Sequence, residues 1–176
     1  MTRTALQKVY LVGLMGAGKT TVGRQLARRI NFEFADLDLE VEARTGVRIP
    51  LIFELEGEPG FRDRETRLLA ELVTREGLVL ATGGGVVVRP ENRKLLKANG
   101  IVVYLNATPA VLYERTRRSN HRPLLNVPNP LEKLQELHDA RDPLYREIAD
   151  IIIDTKPGAV STIVRQVESE LAKCVN

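Results

Sequence analysis

Gly13, Gly18, Lys19 and Thr20 stand in the spacing Gly-x-x-x-x-Gly-Lys-Thr, directly after the apolar run at 8–12 and at the start of a segment of helical period. That spacing is suited to phosphate. Glycines let successive backbone N–H groups converge on an anion, and a helix N-terminus adds positive partial charge. The lysine then reaches the β- and γ-phosphates of a nucleotide, and the threonine hydroxyl becomes a ligand for Mg²⁺. The N–H groups involved run from Met15 through Thr21, so Gly16, Ala17, Gly18, Lys19, Thr20 and Thr21 form the expected nucleotide cradle.

The acceptor of the phosphate has to be sought elsewhere. The run at 78–82 ends in Thr82 and three glycines, without the carboxylate that many phosphate-loop proteins place there. Asp36 and Asp38 close the run before it. On an extended chain residues i and i+2 share a face, so both carboxylates are expected to look toward the C-terminal edge of a sheet, where ligands of open α/β folds bind. One suits the Mg²⁺ water shell and the other suits a substrate hydroxyl, which it can orient or deprotonate. The competing role is that of a helix N-cap. Gly83, Gly84 and Gly85 mark a backbone that passes close to something or takes positive φ, or else a plain tight turn.

The arginines divide into three groups. Arg62 is expected near a helix start, where the dipole gives a cation nothing and an external anion explains it better. Arg141 is expected at a helix end, either on an anion or paired with Asp142, Glu147 or Asp150. Arg115, Arg117, Arg118 and Arg122 crowd a segment rich in Arg, Asn and Pro. An arginine there can neutralise transition-state charge over a nucleotide; the competing role is solvated surface charge.

These residues need elements to hold them. β-branched apolar runs at 8–12, 32–36, 78–82, 101–105 and 150–154 read as strands, and 19–30 and 65–76 carry the apolar spacing of amphipathic helices. The alternation implies an α/β fold of three layers, a five-stranded parallel sheet covered on both faces. Two regions interrupt it. Residues 39–64 read as short helical pieces broken at 45–46 and 56–60, a possible substrate-covering subregion, and 115–130 reads as a loop and candidate lid. Residues 140–150 read as the end of a helix, with Pro143 bending it or starting a new turn.

Composition narrows the function classes. The 176 residues suit a single domain, 43% hydrophobic and 28% charged, with no run near the roughly 20 apolar residues of a membrane span. The first ten residues lack a secretory h-region, so a cytoplasmic protein is expected. Cys174 is the only cysteine, which excludes an internal disulfide framework. A net charge of +3 and a pI near 9.2 favour anionic small molecules, and the basic cluster lacks the interleaved aromatics of a nucleic-acid binder.

"GLMGAGKTTVG", "FADLD", "EGEPGFRDRE", "LATGGG", "HRPLL" and "RDPLYREIAD", in that order, resemble bacterial shikimate kinases from nearly end to end. The phosphate loop alone is shared by many NTPases; the other five motifs together are specific. The resemblance implies a P-loop fold like that of nucleoside-monophosphate kinases, with a shikimate-binding region at about 36–64 and a mobile lid at about 115–128. It implies transfer of the γ-phosphoryl group of ATP to the 3-hydroxyl of shikimate, on the route to chorismate and the aromatic amino acids, by a monomer that binds neither nucleic acid nor membrane. By the same resemblance Gly16 to Thr21 hold ATP, Thr20 binds Mg²⁺ with Asp36 near it, and Asp38 meets the shikimate hydroxyls. Arg62 and Arg141 grip the shikimate carboxylate, Gly84 meets the substrate through its backbone, and Arg122 reaches the ATP phosphates. Lys19, Asp38 and Arg122 are the expected catalytic residues, and Gly158 is expected beside the nucleotide. The rivals are another small-molecule P-loop kinase, such as one acting on gluconate, and a non-catalytic nucleotide-dependent regulator.

Overall fold

A computed structural model of the chain describes residues 6–118 and 123–175. Five parallel strands form one sheet in the order β2-β3-β1-β4-β5: β1 Lys8–Val12, β2 Glu33–Asp36, β3 Leu78–Ala81, β4 Ile101–Asn106 and β5 Ile151–Asp154. Each lies within a residue of the expected bounds. The central strand is apolar without alternation because helices cover both of its faces, and Val9 to Val12 are fully buried. In register, Leu11 faces Ala81 on one side and Val103 on the other, so the loops after β1 and β3 leave the sheet side by side. That adjacency brings the phosphate loop beside the three glycines.

Among the described residues seven α-helices complete the layers: α1 Lys19–Ile30, α2 Leu37–Thr45, α3 Ile49–Leu72, α4 Pro90–Asn99, α5 Pro109–Thr116, α6 Pro130–Ile148 and α7 Val160–Val175. In α1 the buried Val22, Leu26 and Ala27 recur at helical spacing and seat the helix on the sheet. Asn31, in the left-handed conformation with φ 58°, ends it. No helix among the described residues is long and apolar enough to cross a membrane.

Region 39–64 is broken at both expected places: α2 ends at Thr45 before the left-handed Gly46, and α3 is two helical pieces joined by a kink at Gly57, whose φ of 71° and ψ of 177° only glycine takes readily. Three other expectations are corrected. The helix expected at 65–76 is the second half of α3, which starts earlier and ends at Leu72. Residues 115–130 are not all loop, because α5 continues to Thr116 and a 3₁₀ turn forms at Pro123–Leu125. Arg141 lies inside α6 rather than at its end, since Pro143 is carried within the helix, which continues to Ile148.

Candidate active site

The phosphate loop keeps its shape through glycine. Gly16 has φ 83°, and Gly18, with φ 95°, is the N-cap of α1; an L side chain is strained at either. The Lys19 ammonium donates to the carbonyls of Gly13 (2.5 Å) and Leu14 (2.9 Å) and so lies folded against the loop. Thr20 donates its hydroxyl to the Asp36 carboxylate at 2.5 Å.

Asp36 combines the two roles the sequence left open. One carboxylate oxygen receives Thr20, and the other accepts the Leu39 N–H at 3.1 Å as the N-cap of α2. The extended-chain argument for Asp38 does not hold, because the helix starts at Leu37 and Asp38 occupies its first turn. Both carboxylates nevertheless line the same cleft. Burial, and then Glu65 and Asp36, push the Asp38 carboxyl up to about 7, against the opposing pull of Lys19 and Arg62.

Thr82 ends β3 by donating its hydroxyl to the Leu11 carbonyl at 2.8 Å, and the glycines follow. The need they meet is space. A Cβ on Gly83 would lie 2.8 Å from Asp38 Oδ1 and 2.9 Å from Glu65 Oε2; on Gly84 it would press on the Met15 amide at 3.3 Å; on Gly85 it would overlap the Arg62 guanidinium. The bare backbone therefore packs against every charged group at this end of the cleft.

Arg62 is not uncompensated, as its expected position at a helix start had suggested. It lies past the kink of α3, buried, and donates to Glu65 at 3.0 Å and Glu58 at 3.1 Å. The pairings offered for Arg141 do not form: Asp142 takes Arg146 and Tyr104, Glu147 takes Arg93, and Asp150 accepts the Val102 N–H. Arg141 is 5% exposed, and its Nη1 has no hydrogen-bond partner. Nor do Arg62 Nε and Glu65 Oε2. Three buried polar atoms without partners, all on residues that line one cleft, concentrate unmet hydrogen-bonding capacity there.

That cleft has a volume of about 750 Å³. Its walls include Gly16 through Thr21, Asp36, Asp38, Arg62, Gly84, Arg141 and Gly158. Arg122 lies outside the described residues. Arg117 pairs with Glu114 on the surface at 3.3 Å. Arg115, which the sequence did not separate from its neighbours, donates to the carbonyls of Gly16 (3.2 Å) and Ala17 (3.5 Å). Glu65 was missed altogether. It is fully buried, burial pushes its carboxyl up, and Arg62 and Arg141 pull it back; its place three residues after Arg62 was the one available signal.

The shikimate kinase family profile matches residues 15–172. A curated shikimate kinase of Aromatoleum aromaticum is 60% identical over 163 residues, 93% of either chain. The structure of the shikimate kinase from Acinetobacter baumannii in complex with shikimate superposes with a TM-score of 0.95 at 51% identity, covering 96% of this chain and 94% of that one. A gluconokinase from Sinorhizobium meliloti shares the fold alone, with a TM-score of 0.63 and 20% identity over 96% of this chain and 93% of its own. Profile, identity and superposition agree over nearly the whole length: the chain belongs to the shikimate kinase family.

Proposed function

We propose that the chain transfers the γ-phosphoryl group of ATP to the 3-hydroxyl of shikimate, giving shikimate 3-phosphate and ADP. Shikimate kinase activity is that of the family, an ATP-dependent phosphotransfer in the shikimate pathway. The observation that carries the assignment to this cleft is the meeting, around one volume of about 750 Å³, of a phosphate loop, two carboxylates and two buried arginines. Gly16 to Thr21 cradle the phosphates, with Gly158 beside the nucleotide. Arg62 and Arg141 hold the acceptor carboxylate, the Gly84 backbone meets the acceptor ring, and Asp38 orients the hydroxyl and takes its proton. Lys19 and Arg122 neutralise charge on the transferring group.

Thr20 and Asp36 present a hydroxyl and a carboxylate oxygen, hydrogen-bonded to each other at the edge of the phosphate loop, and these are the hard oxygen donors that Mg²⁺ takes. Mg²⁺ ordinarily takes one or two protein oxygens and keeps several waters. Held by these two residues, it would supply neutralisation of the β- and γ-phosphate oxygens.

We take the chain as one domain in which 36–64 holds the acceptor and 115–128 closes over the nucleotide. We take the chain to act as a cytoplasmic monomer. ADP release from Mg-ATP, followed by a coupled assay with shikimate, with gluconate and with no acceptor, tests the reading. Release with shikimate alone is expected. Release with gluconate alone would overturn the acceptor assignment, and no release with any of the three would favour the regulator.

The Asp38 carboxyl also sets a pH dependence. It must be ionised to accept the hydroxyl proton, and it titrates near about 7 in the free enzyme. The logarithm of kcat/KM for shikimate is therefore expected to fall with a slope of one as pH drops below about 7, with a plateau above. A flat profile between about pH 6 and 8 would remove Asp38 from that role.

A further inference from the structure

Three consecutive glycines rotate their peptide planes at little cost, so a loop built of them offers a substrate a fixed backbone only if something holds it. Two of the three carbonyls are held locally. Gly83 O accepts from Val86 N and Gly85 O from Val88 N, each at 3.1 Å, in the 3₁₀ turn that follows. The Gly84 carbonyl is held from across the fold, by the hydroxyl of Tyr145 on α6. Tyr145 is fully buried, its ring packs on Tyr104 with centroids 4.8 Å apart, and burial keeps its phenol protonated and thus a donor. It lies one helical turn beyond Arg141, on the same face of α6. Arg141 Nη1 is in turn 3.6 Å from where a Cβ on Gly84 would stand. A trans peptide sets its C=O and N–H antiparallel, and no cis peptide occurs among the described residues. Pinning the Gly84 carbonyl onto α6 therefore also turns the Gly85 N–H away from α6.

We propose that Tyr145 is a positioning residue for the acceptor: its hydroxyl fixes the Gly84–Gly85 peptide plane and locks it to Arg141, so that one helix face sets both the glycine backbone and the arginine. The proposal rests on the reading of this cleft as the shikimate site.

Tyr104 provides the control. It is equally buried and stacked on the same ring, but its hydroxyl donates to Asp142 at 2.7 Å and makes no hydrogen bond to the glycines. Initial rates would be measured for wild type, Tyr145→Phe and Tyr104→Phe, varying shikimate and ATP separately. Loss of one buried hydrogen bond to the loop is expected to raise the shikimate KM about three- to tenfold in Tyr145→Phe. The ATP KM should stay within about twofold, and Tyr104→Phe should leave both constants near wild type. An unchanged shikimate KM in Tyr145→Phe would overturn the proposal while leaving the functional reading in place. An equal rise in Tyr104→Phe, or in the ATP KM, would also overturn it, because general loosening of α6 would then account for the effect. A wild-type enzyme that ignores shikimate would overturn the functional reading and this proposal with it. If Tyr145→Phe does not fold, hydrogen–deuterium exchange of the wild type decides. The peptides carrying Gly83–Gly85 and Tyr145 should gain protection together on adding shikimate, and protection of the glycines alone would overturn the coupling.

Discussion

Asp38→Asn is expected to lower turnover by about a hundred- to ten-thousandfold, the range that a positioned proton acceptor contributes. ATP affinity should be retained. The amide keeps the shape of the side chain but cannot take the hydroxyl proton, and the phosphate loop is untouched. The same substitution should raise the melting temperature at pH 8. The carboxyl of Asp38 is pushed from its ordinary 3.8 up to about 7, so the folded protein binds more protons than the unfolded chain between those values. Its contribution to stability is therefore lost as pH rises from 3.8 through about 7, and above that range the ionised group opposes folding. An asparagine carries no such penalty. Steady-state kinetics with a thermal melt at pH 8 checks both parts. An inactive, more stable variant identifies a group kept for chemistry, whereas turnover near wild type would show that the carboxylate serves another purpose.

Arg141→Ala is expected to raise the shikimate KM about ten- to a hundredfold. A hydrogen bond to a charged group contributes about 1.5–3 kcal/mol, and 1.4 kcal/mol is one decade. The ATP KM should change much less. Arg141 is the cleaner of the two arginines to remove, because it makes none of the ion pairs offered for it and keeps a buried nitrogen open. Arg62→Ala would instead strip a salt-bridge partner from the fully buried Glu65, and breaking a buried pair typically costs about 3–5 kcal/mol. A change in KM there would be mixed with a loss of folded protein. An unchanged shikimate KM in Arg141→Ala, measured on folded protein, would sink the assignment of Arg141 to the acceptor carboxylate.

The sheet was legible because a parallel strand covered on both faces must be apolar throughout, and such runs stand out against amphipathic helices. The phosphate loop was legible because its glycines and its Lys-Thr pair are fixed by local backbone geometry. Features set by distant contacts were harder to read. Asp38 was placed by the wrong argument: the strand was read to end at Asp36, yet Asp38 beyond it was still treated as extended chain, whereas a helix begins at Leu37. Arg141 was put at a helix end, whereas α6 carries Pro143 within it and continues to Ile148. Glu65 was not read as a site residue, and Arg115 was not told apart from the other arginines of its segment. One acquires its meaning from packing beneath the three glycines, the other from the fold laying α5 against the phosphate loop.

The crowding around Gly83, Gly84 and Gly85 bears on how this protein can change over generations. A side chain would meet a different neighbour at each glycine: the Asp38 and Glu65 carboxylates at the first, the Met15 amide at the second, the Arg62 guanidinium at the third. The bare loop acts as a template against which the Asp38, Glu65 and Arg62 side chains pack. A side chain added at the first or third glycine requires Asp38, Glu65 or Arg62 to move with it. Leu39 and Phe53 line the same cleft and are not among the neighbours that a side chain on the three glycines would meet, so a change of volume can begin there.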